Sequence, residues 1–582
     1  MTGLVSTLAT IWRLASPYFR SEDRKAGLAL LIAVIVIELS IVAINVLLNQ
    51  WNNRFYNALQ DRNWDAFVSE LLFFCGLAAA YIFLAVYQIY LNQWLHIRWR
   101  RWMTKAYLGS WLHASNHYRM QLLGDAADNP DQRIAEDIQM FIERTLSVSI
   151  GLLGALVTLG SFIVILWTLS AGAPLHMFGD TWNIPGYLVW AALIYAVIGT
   201  VLTHLIGWRL VGLNFQQQRF EADFRFNLVR VRENAEQIAL LDGERAETDR
   251  LLDRFGRVVA NWLLIMSRTK KLTFLTASYS QISVVFPYVV VSPAYFAGTM
   301  QLGGLMQTAS AFNSVQNSLS FFINVYRTLA EWRAVIQRLD GFALAVLAGG
   351  AAARTPPVVE IQPSGDGASV SLDDLAVNLP TGAPLVAADE IVMRAGERVL
   401  LTGPSGSGKS TLFRAIAGIW PFGSGRIHVP KDARLLTLPQ RPYFPVGTLA
   451  TAVTYPAEPG TFDHERLAEA IIAVGLPALA QRLDEEAHWN RMLSLGEQQR
   501  LGIARAILEA PDFLFLDEAT ASLDEPAEAA LYRLLQERLP ATTIVSIGHR
   551  STLMAFHRRR LTLERDGSRY RVREATLQPA AE

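Results

Sequence analysis

Between Gly403 and Thr411 the chain reads GPSGSGKST, a spacing whose backbone N–H groups can wrap phosphate oxygens. Gly403, Pro404, Ser405, Gly406, Ser407 and Gly408 would form the cradle, with Thr411 closing the motif. Lys409 would reach the β- and γ-phosphates of ATP, and the Ser410 hydroxyl would hold Mg²⁺. The apolar pair Leu400 and Leu401 precedes the loop and LFRAIAGIW follows it, which predicts the strand, loop and helix context that such a loop requires.

A second group of residues supplies hydrolysis. In FLFLDE, Phe513 to Leu516 read as a buried strand that delivers Asp517 to the magnesium shell and Glu518 to the attacking water. Between the two motifs stands LSLGEQQR, where Ser494, Gly496 and Glu497 would open a helix with its positive end toward a γ-phosphate. Gln440 in LPQRPYFPVGTL, Asp524 in ASLD and His549 in SIGHR complete an ordered set. Together these stretches resemble the ATPases of ABC transporters. The resemblance implies that Gln440 joins Ser410 and Asp517 around Mg²⁺, and that Gln440 and His549 assist Glu518. It also implies that Asp524 and the signature residues contact nucleotide. The usual first glycine of the signature is Leu495 here, and DLAVNLPTG offers Asn378 and Leu379 where an adenine-stacking aromatic is expected.

These motifs occupy only the last third of the chain. At 582 residues with 51% hydrophobic composition, the polypeptide is too long for one core and too apolar for a wholly soluble protein. A net charge of zero gives no support for a nucleic-acid partner. The single cysteine, Cys75, excludes a disulfide framework, and the ten histidines form no metal-ligand pattern.

A bilayer core needs about 20 apolar residues per helix, and six stretches qualify: 26–48, 70–91, 146–170, 186–208, 273–298 and 302–325. The preceding LVSTLATIWRLASPYF predicts an interfacial helix. Lys and Arg number four before the first span, seven in 92–145 and twelve in 209–272, against two in 49–69 and none in 171–185. The positive-inside rule then places the amino terminus, both long loops and the ATPase in the cytoplasm. The tips of the long loops should be short helices that contact the ATPase. The expected architecture is an all-α six-helix transmembrane domain over 1–348, a Gly, Ala and Pro linker over 349–369, and an α/β P-loop ATPase domain over 370–582.

Three stretches narrow the resemblance: LNQWNNRFYNALQDRNWDAF, GDAADNPDQRIAEDIQMF and RVRENAEQIALLDGERAE. They look like the SbmA/BacA transporters of bacterial inner membranes, in the branch with a fused ATPase. The third, with Glu233, Glu236 and Gly243, also resembles peroxisomal fatty-acyl-CoA transporters. This implies an exporter-like ABC fold in a homodimer that pairs each phosphate loop with the partner's signature. It further implies import of peptides, cobalamin or bleomycin-like solutes through a water-filled cavity. Export of acyl-CoA or lipid, and a secondary transporter or signalling subunit with a regulatory ATPase, are the competing readings.

For the cavity, Asn313, Asn317, Ser320 and Asn324 recur on one helical face of the sixth span. They could equally be a polar seam between helices. Glu38, midway along the first span, must pair, protonate or meet water; a cavity wall, a proton relay and a hydrogen-bonded bundle position are all open to it. Trp51, Tyr56 and Trp64 fit an interfacial belt.

Overall fold

The computed structural model describes residues 2–124, 129–171, 175–177, 180–182, 184–364 and 369–575, in two compact units. The first unit takes in residues up to Leu108 and Asn129–Phe342; the second takes in Gly109–Asp128 and everything from Ala343 onward.

The helices are α1 (Thr2–Ala15), α2 (Arg24–Gln60), α3 (Trp64–Leu112), α4 (Asn116–Leu122), α5 (Pro130–Gln132), α6 (Ile138–Ala171), α7 (Tyr187–Glu233), α8 (Ala235–Leu240), α9 (Glu244–Phe296), α10 (Leu302–Leu319) and α11 (Phe321–Ala352). Five of the segments long and apolar enough to cross a membrane are Arg24–Gln60, Trp64–Leu122, Pro130–Ala171, Tyr187–Glu233 and Glu244–Phe296. Glu331–Ala352 also qualifies by length and composition. Its Arg338 and Asp340, however, are paired with Asp137 and Arg13, and it runs on into the second unit from Ala343. Instead α10, less apolar because of Asn313, Gln316 and Asn317, packs against α2, α6, α7 and α9 and is the sixth member of the bundle. Helices α7 and α9 are 47 and 53 residues long, well beyond the length a bilayer core needs, and are joined through the short α8.

Polar side chains tie this bundle together. On α2, Asn49, Asn53, Asn57 and Gln60 share a face, and they meet the start of α10. Asn49 donates to the Gln307 carbonyl at 3.0 Å, and Asn53 donates to its side-chain oxygen at 2.7 Å. Asn57 and Gln60 accept the Gly303 and Leu302 N–H groups, which begin α10 and have no partner within the helix. The stretch NPDQRIAED folds around the buried Asp137, whose carboxylate accepts from Arg133 at 2.7 Å and from Arg338 at 2.9 and 2.5 Å.

In the second unit the remaining helices are α12 (Lys409–Ile416), α13 (Leu449–Thr454), α14 (His464–Ala473), α15 (Trp489–Met492), α16 (Leu495–Glu509) and α17 (Glu525–Arg538). Strands β1 (Leu175–Met177) and β2 (Asp180–Trp182) form a hairpin in the first unit. The second unit holds β3 (Glu360–Ser364), β4 (Ser369–Asn378), β5 (Pro384–Arg394), β6 (Arg398–Thr402), β7 (Gly423–Pro430), β8 (Leu435–Leu438), β9 (Gly447–Thr448), β10 (Glu486–Ala487), β11 (Phe513–Asp517), β12 (Thr543–Ile547), β13 (Arg559–Asp566) and β14 (Arg569–Ala575). Ten strands make one sheet in the order β3-β7-β4-β5-β14-β13-β6-β12-β11-β8. Composition assigns 349–369 to a linker, but α11 runs on to Ala352 and β3 already pairs with β7, so the connection narrows to 353–359.

One face of the sheet buries Leu400, Leu438, Leu514, Leu516 and Ile544 against α13, α14, α16 and α17. The other buries Val386, Val399, Leu401, Leu563 and Val572 against Leu412, Phe413 and Ile416 of α12. The short helix α4 belongs to this unit, and its Tyr118 and Leu122 pack on the α12 side. Thus the first long loop does end in a helix that meets the ATPase. Burial raises the Tyr118 phenol above its ordinary pKa, with nearby Arg414 opposing.

A candidate nucleotide hydrolysis site

The sheet order explains how segments far apart in sequence share one site. β6, β12, β11 and β8 are parallel neighbours. Each is followed at its carboxyl end by one chemical group: the phosphate loop after β6, His549 after β12, Asp517 and Glu518 at β11, and Gln440 after β8. Ligands of open α/β sheets bind at this edge.

The loop from Gly403 to Gly408 is bent by left-handed glycines at φ 151°, 76° and 92°, conformations that an L side chain adopts only with strain. Gly408 caps α12. Burial lowers the Lys409 pKa while Glu518 and Asp517 oppose it. Its ammonium donates to the carbonyls of Gly403 and Pro404 at 2.9 and 2.8 Å, so the phosphates of a nucleotide compete with the loop for the same charge. Ser407 is fully buried, and its hydroxyl has no hydrogen-bond partner among the described residues.

Ser410 Oγ donates to Asp517 Oδ1 at 2.8 Å. Burial raises the Asp517 pKa, against the Ser410 bond that lowers it. Gln440 Nε2 donates to Glu518 Oε2 at 3.2 Å, and His549 Nε2 lies 3.1 Å from Glu518 Oε1. Glu518 itself is a non-glycine residue at φ 51°, a strained conformation of the sort concentrated at active sites. A hydroxyl, a carboxylate and an amide carbonyl are the oxygen donors that Mg²⁺ accepts, so Ser410, Asp517 and Gln440 fit that ion. When bound, it would neutralise phosphate charge.

Ser494 caps α16 in a reciprocal box: it accepts the Glu497 N–H at 3.3 Å, while its own N–H and hydroxyl meet the Glu497 carboxylate at 2.9 and 2.8 Å. A Cβ on Gly496 would come 3.2 Å from Leu523 Cδ2, which ties the signature to the loop before Asp524. Asp524 caps α17 by accepting the Ala527 N–H at 3.2 Å. Among the described residues, no hydrogen bond links 403–411 to 494–497.

Two residues that the sequence reading passed over hold these loops in place. Gln499, 1% exposed, donates to the Gln440 carbonyl at 3.0 Å and to the Glu518 carbonyl at 3.5 Å, and accepts the Ser522 N–H at 3.0 Å. Arg550, next to His549, donates to Leu523 O at 2.7 Å, to Ala521 O at 3.1 Å and to Glu528 at 3.4 Å. Gln499 stands inside the quoted LSLGEQQR, but only its contacts reveal the role.

The membrane candidates separate. Glu38 accepts from Gln88 of α3 and sits against Gly154 of α6, where a Cβ would overlap its carboxylate. Of the four residues on the sixth span, Ser320 is buried and within 3.0 Å of Gln316 Nε2 and 3.3 Å of Tyr279 Oη, and Asn313 reaches Ser283 at 3.5 Å. Asn317 is exposed, and the Asn324 side chain lies outside the described residues. No hydrogen bond among the described residues joins Glu38 to this group. Trp51 donates to Glu70 O at 2.8 Å, and Trp64 is exposed.

Comparison with known proteins agrees with this geometry. Residues 14–296 match the ABC transporter transmembrane region 2 model, and residues 389–521 match the ABC transporter model. An inner membrane ABC transporter ATP-binding protein, YddA of Escherichia coli, is 36% identical over 92% of this chain and 94% of its own. The lysosomal cobalamin transporter ABCD4 of Mus musculus is 28% identical over 97% of this chain and 95% of its own. A bacterial Atm1-family ABC exporter with ATP bound shares the fold, with a TM-score of 0.72 at 19% identity over 94% of each chain. The chain therefore belongs to the ABC transporters, with the membrane and ATP-binding domains fused in one polypeptide.

Proposed function

We propose that two copies of this chain form an ATP-driven importer of the bacterial inner membrane that carries peptides and other hydrophilic solutes, cobalamin among them. The observation behind the ATP-driven reading is the Glu518 carboxylate held between Gln440 and His549, where it can accept a proton from water attacking the γ-phosphate. Glu518 is the catalytic base, Gln440 and His549 orient it, and Lys409 stabilises the charge on the phosphates. Ser410, Asp517 and Gln440 hold Mg²⁺. Homodimerisation is supported by the division of the site: parts of the phosphate loop and the amino end of α16 are exposed, and among the described residues no hydrogen bond joins them. ATP closure then alternates access across the membrane.

The solute reading is supported by the relative named as a cobalamin transporter, by the SbmA/BacA-like stretches, and by exposed Asn317 on α10. The experiment uses proteoliposomes with the ATPase facing outward, preloaded with labelled peptide or cobalamin. An importer expels the solute only with ATP, and Glu518→Gln stops both expulsion and hydrolysis. Accumulation inside would reverse the direction and favour acyl-CoA or lipid export, and movement indifferent to ATP would reduce the ATPase to regulation.

A further inference from the structure

The phosphate end of the site is fully furnished, whereas the turn that follows β4 offers no ring for a base. That turn is closed by Leu379 N–H on Ala383 O and Gly382 N–H on Leu379 O, both at 2.8 Å, and 378–383 contains no aromatic residue. Trp420, the indole nearest to it, is 5% exposed and spends its N–H on the Asn378 carbonyl at 2.9 Å.

An aromatic does stand on the next strand but one. At the start of β5, Leu385 and Val386 pack against the end of the phosphate loop: a Cβ on Gly408 would lie 2.5 Å from Val386 Cγ2 and 2.9 Å from Leu385 Cγ. At the other end of the loop, a Cβ on Gly403 would lie 2.9 Å from Leu563 Cβ. Both ends of the loop thus rest on one face of the sheet. On β14, Tyr570 is the register partner of Val386. Paired side chains on adjacent strands rise on the same face, with the strands about 4.8 Å apart. Tyr570 packs on the same core as Val386, Leu563 and Val572 and is only partly buried, and its side chain makes no ring contact or hydrogen bond among the described residues. β13 and β14 continue past the end of β6, since Thr562 is the partner of Thr402 and Leu563 pairs with Val572, so Tyr570 lies level with the loop.

We propose that Tyr570 is the aromatic against which the base of ATP packs, a specificity residue delivered by the carboxyl-terminal hairpin. It replaces a ring that the β4 turn lacks. This rests on the reading of Gly403–Thr411 as the triphosphate site, and Leu385 completes the apolar floor. A ring face accepts any purine, so the contact selects for a base without reading its edges.

The test compares Mg·ATP with Mg·tripolyphosphate, which has the phosphates and no base, by calorimetric titration of the full-length protein in detergent. Tyr570→Ala is expected to weaken ATP about tenfold or more, the scale of one lost base–aromatic stack. It should raise KM more than it lowers kcat and leave tripolyphosphate affinity as in wild type, and Tyr570→Phe should restore ATP binding. Wild-type ATP affinity in Tyr570→Ala overturns the proposal. So does equal weakening of both ligands, which would make Tyr570 a structural support. Lys409→Ala separates the underlying reading: tripolyphosphate binding that survives it would remove the triphosphate site itself, whatever Tyr570 does.

Discussion

Gln499→Leu should slow hydrolysis severely at a cost of about 2–3 kcal/mol in stability. The amide is 1% exposed and has two good bonds at 3.0 Å, to Gln440 O and from Ser522 N–H, plus a long one at 3.5 Å to Glu518 O. Leucine fills nearly the same volume, so no cavity term arises, and the loss is that of the polar partners. A buried group left unpaired costs about 1–3 kcal/mol. Gln440 and Ser522 lie in exposed loops that can shift to reach water, which puts the total near the low end, about 2–3 kcal/mol. That shift is the functional damage. Gln440, whose carbonyl Gln499 anchors, is the residue proposed to orient Glu518, and a displacement of about 1 Å at a reacting group can cost a hundredfold. The assay is steady-state ATPase in detergent beside thermal unfolding: kcat should fall about ten- to a hundredfold with a modest drop in melting temperature and little change in ATP affinity. A kcat within twofold of wild type would refute the view that Gln499 registers the loops. A collapse of unfolding temperature would show that stability, not position, is what it supplies.

Asp137→Ala should destabilise the protein by about 3 kcal/mol, because it removes a fully buried carboxylate that pairs with both Arg133 and Arg338; thermal unfolding in detergent measures it. His557 packs with Nδ1 2.7 Å from Leu553 O and Nε2 2.9 Å from Ser546 Oγ, and burial holds its pKa below the usual 6.5, helped by Arg398. The folded state therefore binds fewer protons than the unfolded one below pH 6.5, and the stabilisation present above that pH is lost as pH falls toward the lowered folded pKa. Unfolding temperature should fall more steeply from pH 7 to 5.5 in wild type than in His557→Gln.

The candidate site was legible as a set of residues because each step of phosphate chemistry demands a particular residue type in a local spacing. Lys409 and Ser410 follow a glycine loop, and Asp517 and Glu518 follow a run of β-forming residues, so neither required knowledge of tertiary contacts. The braces were not legible, because their logic is long-range. Gln499 reaches residues 59, 23 and 19 positions away, and nothing in its neighbourhood sets it apart from Gln498. Glu38 shows the same limit: its cost in a span was evident, but its partner Gln88 stands 50 residues on. The α2 amides lie between these cases. Spacings of four, four and three from Asn49 to Gln60 mark one face, and only the fold shows that the face binds the start of α10.

The departure at Leu495 gains a physical account from the cap. A helix presents positive charge at its amino end through backbone N–H groups, which any side chain leaves in place. Leu495 is the first residue of α16, so its side chain is not what would meet a phosphate. The next position is different, since a Cβ on Gly496 would already lie a tight 3.2 Å from Leu523 Cδ2, and larger groups must push the loop before Asp524. Leu495→Gly should therefore leave ATPase within about twofold, because it changes no N–H and costs only helix propensity of about 1 kcal/mol. Gly496→Val should cut turnover at least tenfold by displacing Leu523, whose carbonyl Arg550 holds at 2.7 Å. If the two variants behaved the other way round, the signature would act through the side chain at 495, and α16 would not be a backbone anion site.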